Sequence, residues 1–364
     1  MSVIIFFIIL AILVLVHEFG HFIVAKRSGI RVDEFGLGFP PRLWSYKVGE
    51  TVYSINAIPF GGFVKIFGEN PNEESISGPD NKRSFINKNR GIQAAVLSAG
   101  ILFNIIFAWL LISFGFMSGL PVPADEYASL GSVSDVRLVI TSILNDSPAA
   151  KAGLKTGDAI LLLQAGKETL QDPTLSKAQN FIGSHGVEPL SILYRRGENT
   201  GTVNVIPKEG VLKGRFAIGI SMDMIGTLSL PIPQALFEGG KTTGRLLETI
   251  AIGLGSFITG AATGHADLSS VTGPVGIAGM VGDVRALGFV YLISFTAFIS
   301  LNLAVINLLP FPALDGGRLL FVLIETVKRS RINPKFSNAL NTVGFVILML
   351  LMVVVTFRDV VKLF

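Results

Sequence analysis

Fourteen consecutive residues without a polar side chain, Val3 to Val16, run directly into His17-Glu18-Phe19-Gly20-His21. Continued through residue 25, that run suits a helix crossing a hydrocarbon layer about 30 Å thick. Ionisable groups at such a depth cost on the order of a few kcal/mol each, so they persist only where they serve something. Residues four apart share one helix face, and His17 and His21 therefore offer two imidazoles to one point. Glu18 stands next to the first of them, where a carboxylate can take a proton from water activated by a metal. The chain has four histidines, and two are here. A chance H-E-x-x-H is the bland alternative, and the cost of its setting argues against it.

Charged residues make up 15% of the chain. Soluble domains carry about 25%, so much of this protein belongs in lipid. The net charge of +4 follows from Lys and Arg gathering at cytoplasmic ends of spans. Basic patches with interleaved aromatics are missing, so nucleic acid is not an expected partner. The chain has no cysteine, which excludes disulfides, thiolate ligands and a Cys nucleophile.

Residues 2–25 form the first span. Lys26 and Arg27 follow it and no positive residue precedes it, which puts the N-terminus outside and the His pair toward the cytoplasm. Neither a basic leader nor a small-residue cleavage site marks it as a signal peptide. Residues 28–90 are too polar to cross. Gly36, Gly38, Pro40, Pro41, Gly61 and Gly62 punctuate strand-like runs, yet Phe35, Phe39, Phe60, Phe63 and Phe67 make the segment aromatic for a loop. A β-hairpin dipping into the membrane surface beside the metal accounts for this pattern, and so does a small soluble β-subdomain. Further spans are expected at 91–118, 289–309 and about 342–356. Arg318, Lys328, Arg329, Arg331 and Lys335 hold the linker between the last two on the cytoplasmic side. Residues 231–262 fit either a surface-lying helix or a shallow span, and 264–288 reads as loop.

Residues about 125–210 form a soluble domain on the outer side. Asn145 to Ile160 resembles the signature of a PDZ domain: a strand over 136–144, a short helix capped by Ser147, turns at Gly153 and Gly157, and a strand over 159–163. A helix at about 174–182 and strands at 190–194 and 201–206 complete it. Such domains add an extended peptide to a sheet edge.

The second half of the site is Asn307-Leu-Leu-Pro-Phe-Pro-Ala-Leu-Asp-Gly-Gly317. Pro310 and Pro312 break the helix at membrane depth. Asp315 then lies at the same depth as the histidines. Two His and one carboxylate, with one position open, are a common catalytic zinc set. Taken alone, Asp315 would read equally well as a helix cap.

Together, the H-E-F-G-H, the G-x-G at 36–38, P-F-G-G-F-V-K at 59–65, G-P-V-G-I at 273–277 and the motif ending in L-D-G-G make the chain resemble the site-2 protease family of intramembrane metalloproteases, in the bacterial regulator-of-sigma-E-protease branch. The resemblance implies zinc on His17, His21 and Asp315, with Glu18 as base. It also implies a β-loop at about 32–66, carrying Gly36 and Gly38, that receives an unwound substrate, with Asn307 and the Pro310–Pro312 break beside it. Ala99-Gly-Ile-Leu-Phe-Asn104 departs from the family's A-G-P-x-x-N by lacking the proline.

The expected fold is a polytopic α-helical membrane protein with about four transmembrane helices, a membrane-associated β-hairpin and one inserted α+β PDZ domain. Its parts are 1–119, 120–212 and 213–364, with both termini outside. The implied partners are single-span membrane proteins as substrates, the bilayer, and a peptide on the PDZ domain; the implied place is the bacterial cytoplasmic membrane. A catalytically inactive membrane PDZ adaptor is the competing reading. It would have no need of His17, Glu18, His21 and Asp315 in lipid.

Overall fold

The opening apolar run is a single helix, α1 (Ser2–Arg27), in a computed structural model that describes residues 2–70, 73–131, 133–186, 188–212, 215–265 and 271–361. Lys26 and Arg27 close its last turn, where cations complement the helix dipole. Phe6, Ile9, Leu13, Gly20 and Ala25 are buried along it, at the spacing of a helix packed on one side.

The polar segment after α1 forms β1 (Val32–Val48) and β2 (Thr51–Ile66), joined at Gly49, whose φ of +61° suits glycine. β2 curls so that Tyr53 pairs with both Tyr46 and Phe35, while Val64 also pairs with Phe35. The first half of β1 thus lies between the two halves of β2. The segment is a two-stranded hairpin. Phe35 and Tyr53 hold it to α1 by packing on Phe22, with ring centroids 5.2 and 6.0 Å away. Leu43, Trp44 and Tyr46 in the far half stay exposed. A short helix α2 (Glu73–Ser77) precedes α3 (Arg90–Ser118). Asn89 Oδ1 accepts the Ile92 N–H at 2.8 Å and caps the start of α3.

Backbone contacts divide the chain into two units. One comprises residues 1–112, 236–282 and 294–364, the other 113–235 and 283–293. The second unit holds β3 (Leu120–Pro123), α4 (Ala124–Tyr127), β4 (Ser134–Ile143), α5 (Pro148–Lys151), β5 (Ala159–Ala165), β6 (Glu168–Gln171), α6 (Leu175–Ser184), β7 (Leu190–Arg196), β8 (Asn199–Val205), β9 (Lys208–Leu212), β10 (Arg215–Ala217) and β11 (Ile220–Leu228). The sheet order is β3-β11-β4-β5-β7-β8, with β6 on β5. Leu138, Ile140, Leu163, Leu190 and Ile192 form its core. Ser147 caps α5 as the sequence indicates, its Oγ accepting from the Ala150 N–H. The sheet does not stop at residue 212: β11 sits inside it between β3 and β4, so the boundary moves to about 228. No turn motif announces this strand, and only its partners make it part of the sheet.

The chain continues as α7 (Ile232–Ala262), α8 (Pro274–Leu287), α9 (Phe289–Leu308), α10 (Asp315–Lys328) and α11 (Pro334–Val361). Five helices, α1, α3, α7, α9 and α11, are long and apolar enough to cross a membrane, and α7 is the least apolar of them. One expectation changes. Residues 274–287 are helical rather than loop: Pro274 starts the helix, and buried Asp359 of α11 accepts the Gly276 N–H at 2.8 Å. The linker before α11 also contains a helix, α10, starting at Asp315 itself.

Candidate metal centre

One turn of α1 separates His17 from His21, and their Nε2 atoms lie 3.2 Å apart. Asp315 Oδ2, at the first residue of α10, is 3.0 Å from His17 Nε2 and 3.2 Å from His21 Nε2. Among the described residues this is the one group of three such side chains converging on a point.

α10 reaches that point because the turn after α9 is tight and the next two residues are glycines. A Cβ at Gly316 would stand 2.3 Å from the carbonyl oxygens of Leu308 and Leu309, and one at Gly317 would stand 2.2 Å from that of Phe311. The L-D-G-G run therefore lets the first turn of α10 lie on the backbone of the preceding turn, with Asp315 aimed at α1. Asn341 of α11 holds this turn from the other side, its Oδ1 accepting the Ala313 N–H at 3.2 Å.

α3 supplies what sequence reading missed. Val96, Gly100 and Asn104 are spaced by four and form one stripe against the histidines. The Val96 carbonyl accepts from His21 Nδ1 at 2.7 Å, which leaves Nε2 free as a ligand. The Asn104 amide lies 3.2 Å from His17 Nδ1. A ligating Nε2 requires the ring proton on Nδ1, so the amide must present its oxygen there; amide O and N are interchangeable in shape. In the opposite orientation Asn104 Oδ1 is buried without a partner. Ser300 of α9 donates to the Asn104 carbonyl at 2.8 Å, tying a third helix to this stripe. Gly100 makes room, since a Cβ there would lie 2.3 Å from His21 Nε2. Ala99-Gly100 and Asn104 were visible in the second span as polar and small interruptions. Val96 acts through its carbonyl and leaves no trace in residue type.

These residues fit a metal. With both Nδ1 atoms protonated, three lone pairs point together within 3.2 Å, and Asp315 Oδ2 is buried with no donor. Such a cluster repels itself unless a cation sits among its members. Tetrahedral zinc with ligands at about 2.0–2.2 Å has ligand-to-ligand edges of about 3.3–3.6 Å, a few tenths of an ångström wider than the 3.0–3.2 Å found. Glu18 lies beside the cluster against the inner strand edge: Gly62 is 3.6 Å from its Cγ when given a Cβ, and the Val64 backbone hydrogen-bonds its carboxylate. Arg318, one turn beyond Asp315, pairs with Glu69 just after β2, so the hairpin's exit and the helix bearing Asp315 are joined.

The remaining expected residues lie in the hairpin, in the last turn of α9 and in the turn before Asp315. Gly36 and Gly38 lie within the hairpin, where a Cβ would meet the Phe63 ring at 2.5 Å and the Ile58 carbonyl at 2.6 Å. Asn307 is half-buried in the last turn of α9, and Pro310 and Pro312 form the turn leading to Asp315. His185 is not part of the centre; its ring packs on Phe181 and its Nδ1 is 2.9 Å from the Phe181 carbonyl.

The model of peptidase family M50 matches residues 5–351 of this chain. A Clostridium perfringens relative, provisionally named a zinc metalloprotease, is 37% identical over 96% of this chain and 95% of its own length. The zinc metalloprotease RasP of Geobacillus kaustophilus is 30% identical over 100% and 98%. The regulator of sigma-W protease RasP of Bacillus subtilis is 29% identical over 100% and 99%. Among solved structures, the PDZ domain of an SdrC-like protein from Listeria monocytogenes aligns with 25% of this chain and 93% of that one, at 22% identity and a TM-score of 0.22.

Proposed function

The chain belongs to peptidase family M50, the site-2 protease family, and is a zinc metalloprotease; on that premise we propose that it cleaves the transmembrane segments of single-span membrane proteins. The observation that carries this reading is the convergence of His17, His21 and Asp315 with Glu18 alongside, on a helix whose preceding fourteen residues are wholly apolar.

His17, His21 and Asp315 hold the zinc, and Glu18 moves the proton. Bound zinc supplies Lewis acidity, polarising the scissile carbonyl and making water acidic enough to attack near neutral pH. Glu18 accepts a proton from the attacking water and returns it to the leaving nitrogen. A peptide bond inside a helix is shielded by its own hydrogen bonds, so the substrate must unwind and its freed backbone groups need partners. The edge of β2 at 62–64, beside Glu18, offers them by strand addition. Gly36 and Gly38 shape that hairpin, while Asn307, Pro310 and Pro312 border the same entry.

The charge pattern supports both termini and the PDZ domain lying outside, with the metal centre toward the cytoplasm of a bacterial cytoplasmic membrane. Four spans cross. α7 lies along the outer surface, because Glu238, Lys241, Arg245 and Glu248 punctuate its first half. The second unit is a PDZ domain that takes an extended peptide between α6 and the exposed part of β11, beside a groove lined by Leu144, Ile182, Ile218 and Met222. Anti-sigma factors and signal-peptide remnants both fit this arrangement, and the Bacillus subtilis relative is named a regulator of sigma-W protease.

The test is cleavage of one single-span substrate in detergent by wild type and Glu18→Gln. The variant keeps the side chain's shape but not its basicity, so it should hold zinc and substrate yet cleave at least ~100-fold more slowly. Wild-type rates would remove Glu18 from the mechanism. A wild-type protein that holds substrate and never cleaves it would favour the adaptor reading.

A further inference from the structure

The second unit contains a cleft unrelated to the metal centre and to the α6–β11 groove. It encloses about 130 Å³ and is lined by Asp135 and Arg137 of β4, Gly157, Arg195 of β7, Leu287 at the end of α8 and Tyr291 in the first turn of α9. A single water needs only ~10–15 Å³, so a polyatomic ion can enter.

Its charges are unbalanced. Arg137 pairs with Asp135, whereas Arg195, which lines the cleft, has no ion pair and its buried Nη2 no hydrogen-bond partner among the described residues. An orphaned charged donor is among the most costly groups to bury, and such a group in a native fold calls for an explanation. The neighbouring Arg196 is already satisfied, donating to buried Asp158 at 2.7 Å. The cleft therefore carries one uncompensated positive charge, with a second guanidinium beside it.

Its position narrows the ligand. The sheet edge is seated on the corner between α8 and α9: a Cβ at Gly157 would meet Leu287 at 2.7 Å, one at Gly197 would meet the Ala286 carbonyl at 2.5 Å, and Lys155 pairs with Asp283 at 2.8 Å. α9 begins an apolar stretch of twenty residues with no charged side chain, so its first turn lies at headgroup level. Tyr291 is of the aromatic type that favours that level, and Phe289 is 69% exposed beside it.

We infer that this cleft binds the phosphate oxyanion of an anionic phospholipid headgroup, with Arg195 as its principal donor and Arg137 as its second. A phosphodiester carries one negative charge, which matches the single uncompensated positive one, and guanidinium groups suit its paired oxygens. The lipid would then fix the second unit to the bilayer at the point where α9 enters it.

The experiment titrates the full-length protein in neutral detergent with short-chain phosphatidylglycerol, short-chain phosphatidylcholine or inorganic phosphate, following the melting temperature and, by native mass spectrometry, retained lipid. Wild type should retain phosphatidylglycerol in preference to phosphatidylcholine. Arg195→Gln should weaken that retention by roughly tenfold or more, Arg195→Lys should keep part of it, and Arg137→Gln should show a smaller loss. Without lipid, Arg195→Gln should melt at or above the wild-type temperature, because it removes a buried unpaired charge; a merely structural arginine would do the reverse. Should Arg195→Gln fail to fold, Arg137→Gln at the cleft's more exposed side carries the comparison. Equal retention of the two lipids by wild type, or unchanged phosphatidylglycerol retention in both variants, overturns the inference. Full protection by inorganic phosphate with no lipid preference overturns the lipid as its source.

Discussion

Replacing Gly100 by Ala adds one methyl group at the most crowded point of the metal centre. That Cβ would lie 2.3 Å from His21 Nε2 and 2.8 Å from His17 Cε1, against an ordinary contact of about 3.5 Å. Something must therefore retreat by about 1 Å. α3 cannot move toward α1, because a Cβ at Gly20 would already stand 2.5 Å from the Ala99 carbonyl. Moving it outward unpacks buried Val96 and Ala99 and carries off the carbonyl that orients His21. Metal ligands tolerate only ~0.2 Å, so zinc binding must pull the imidazoles back against the methyl. Overpacking of this kind costs about 1–3 kcal/mol, which is roughly a 5- to 150-fold loss of zinc affinity. The assay is zinc content against a graded chelator in detergent, with the melting temperature of the zinc-free protein as the folding control. Gly91→Ala, the same change near the start of α3 where the nearest atom is 3.5 Å away, should leave affinity untouched. A folded Gly100→Ala protein with wild-type zinc affinity would refute the packing argument and with it the place of α3 in the site.

Asn104→Leu should weaken zinc binding by about 10- to 100-fold by freeing the His17 ring, whereas Asn104→Asp, which keeps an acceptor, should retain more of it; equal losses in the two variants, seen in the same chelator titration, would exclude a role as acceptor. Asp315→Ala should abolish stoichiometric zinc, and undiminished metal would remove it from the ligand set. The absence of native cysteine allows a clean topology test: single cysteines at the exposed positions Lys47 and Lys328 should be labelled from the cytoplasmic side alone and one at Lys177 from outside alone. Cytoplasmic labelling at Lys177 would invert the arrangement. Separating Arg318 from Glu69 by Glu69→Gln should slow cleavage while leaving zinc content unchanged, since it loosens the hairpin and not the ligands; lost zinc would show that the pair instead holds α10 itself.

What residue order alone determined is local and periodic. Val3 to Val16 admits little but a helix, and the four-residue spacing of His17 and His21 puts both rings on one side of it whatever surrounds them. Ser147 announces its cap because hydrogen-bonding capacity belongs to the residue type. The same holds for the apolar lengths of α1, α3, α9 and α11. Asp315 could be matched to the histidines by depth, but depth gives no direction. The structure decided that, through two glycines that let α10 rest on carbonyl oxygens of the preceding turn. The roles of Val96, Gly100 and Asn104 were equally undetermined, since contacts between α1 and α3 join residues about 80 positions apart and one of them uses only a backbone carbonyl. β11 entered the sheet, and residues 274–287 became helical with Asp359 as their cap, for the same reason: the hydrogen-bond partners that stabilise these segments lie elsewhere in the chain, and only tertiary packing brings them within reach.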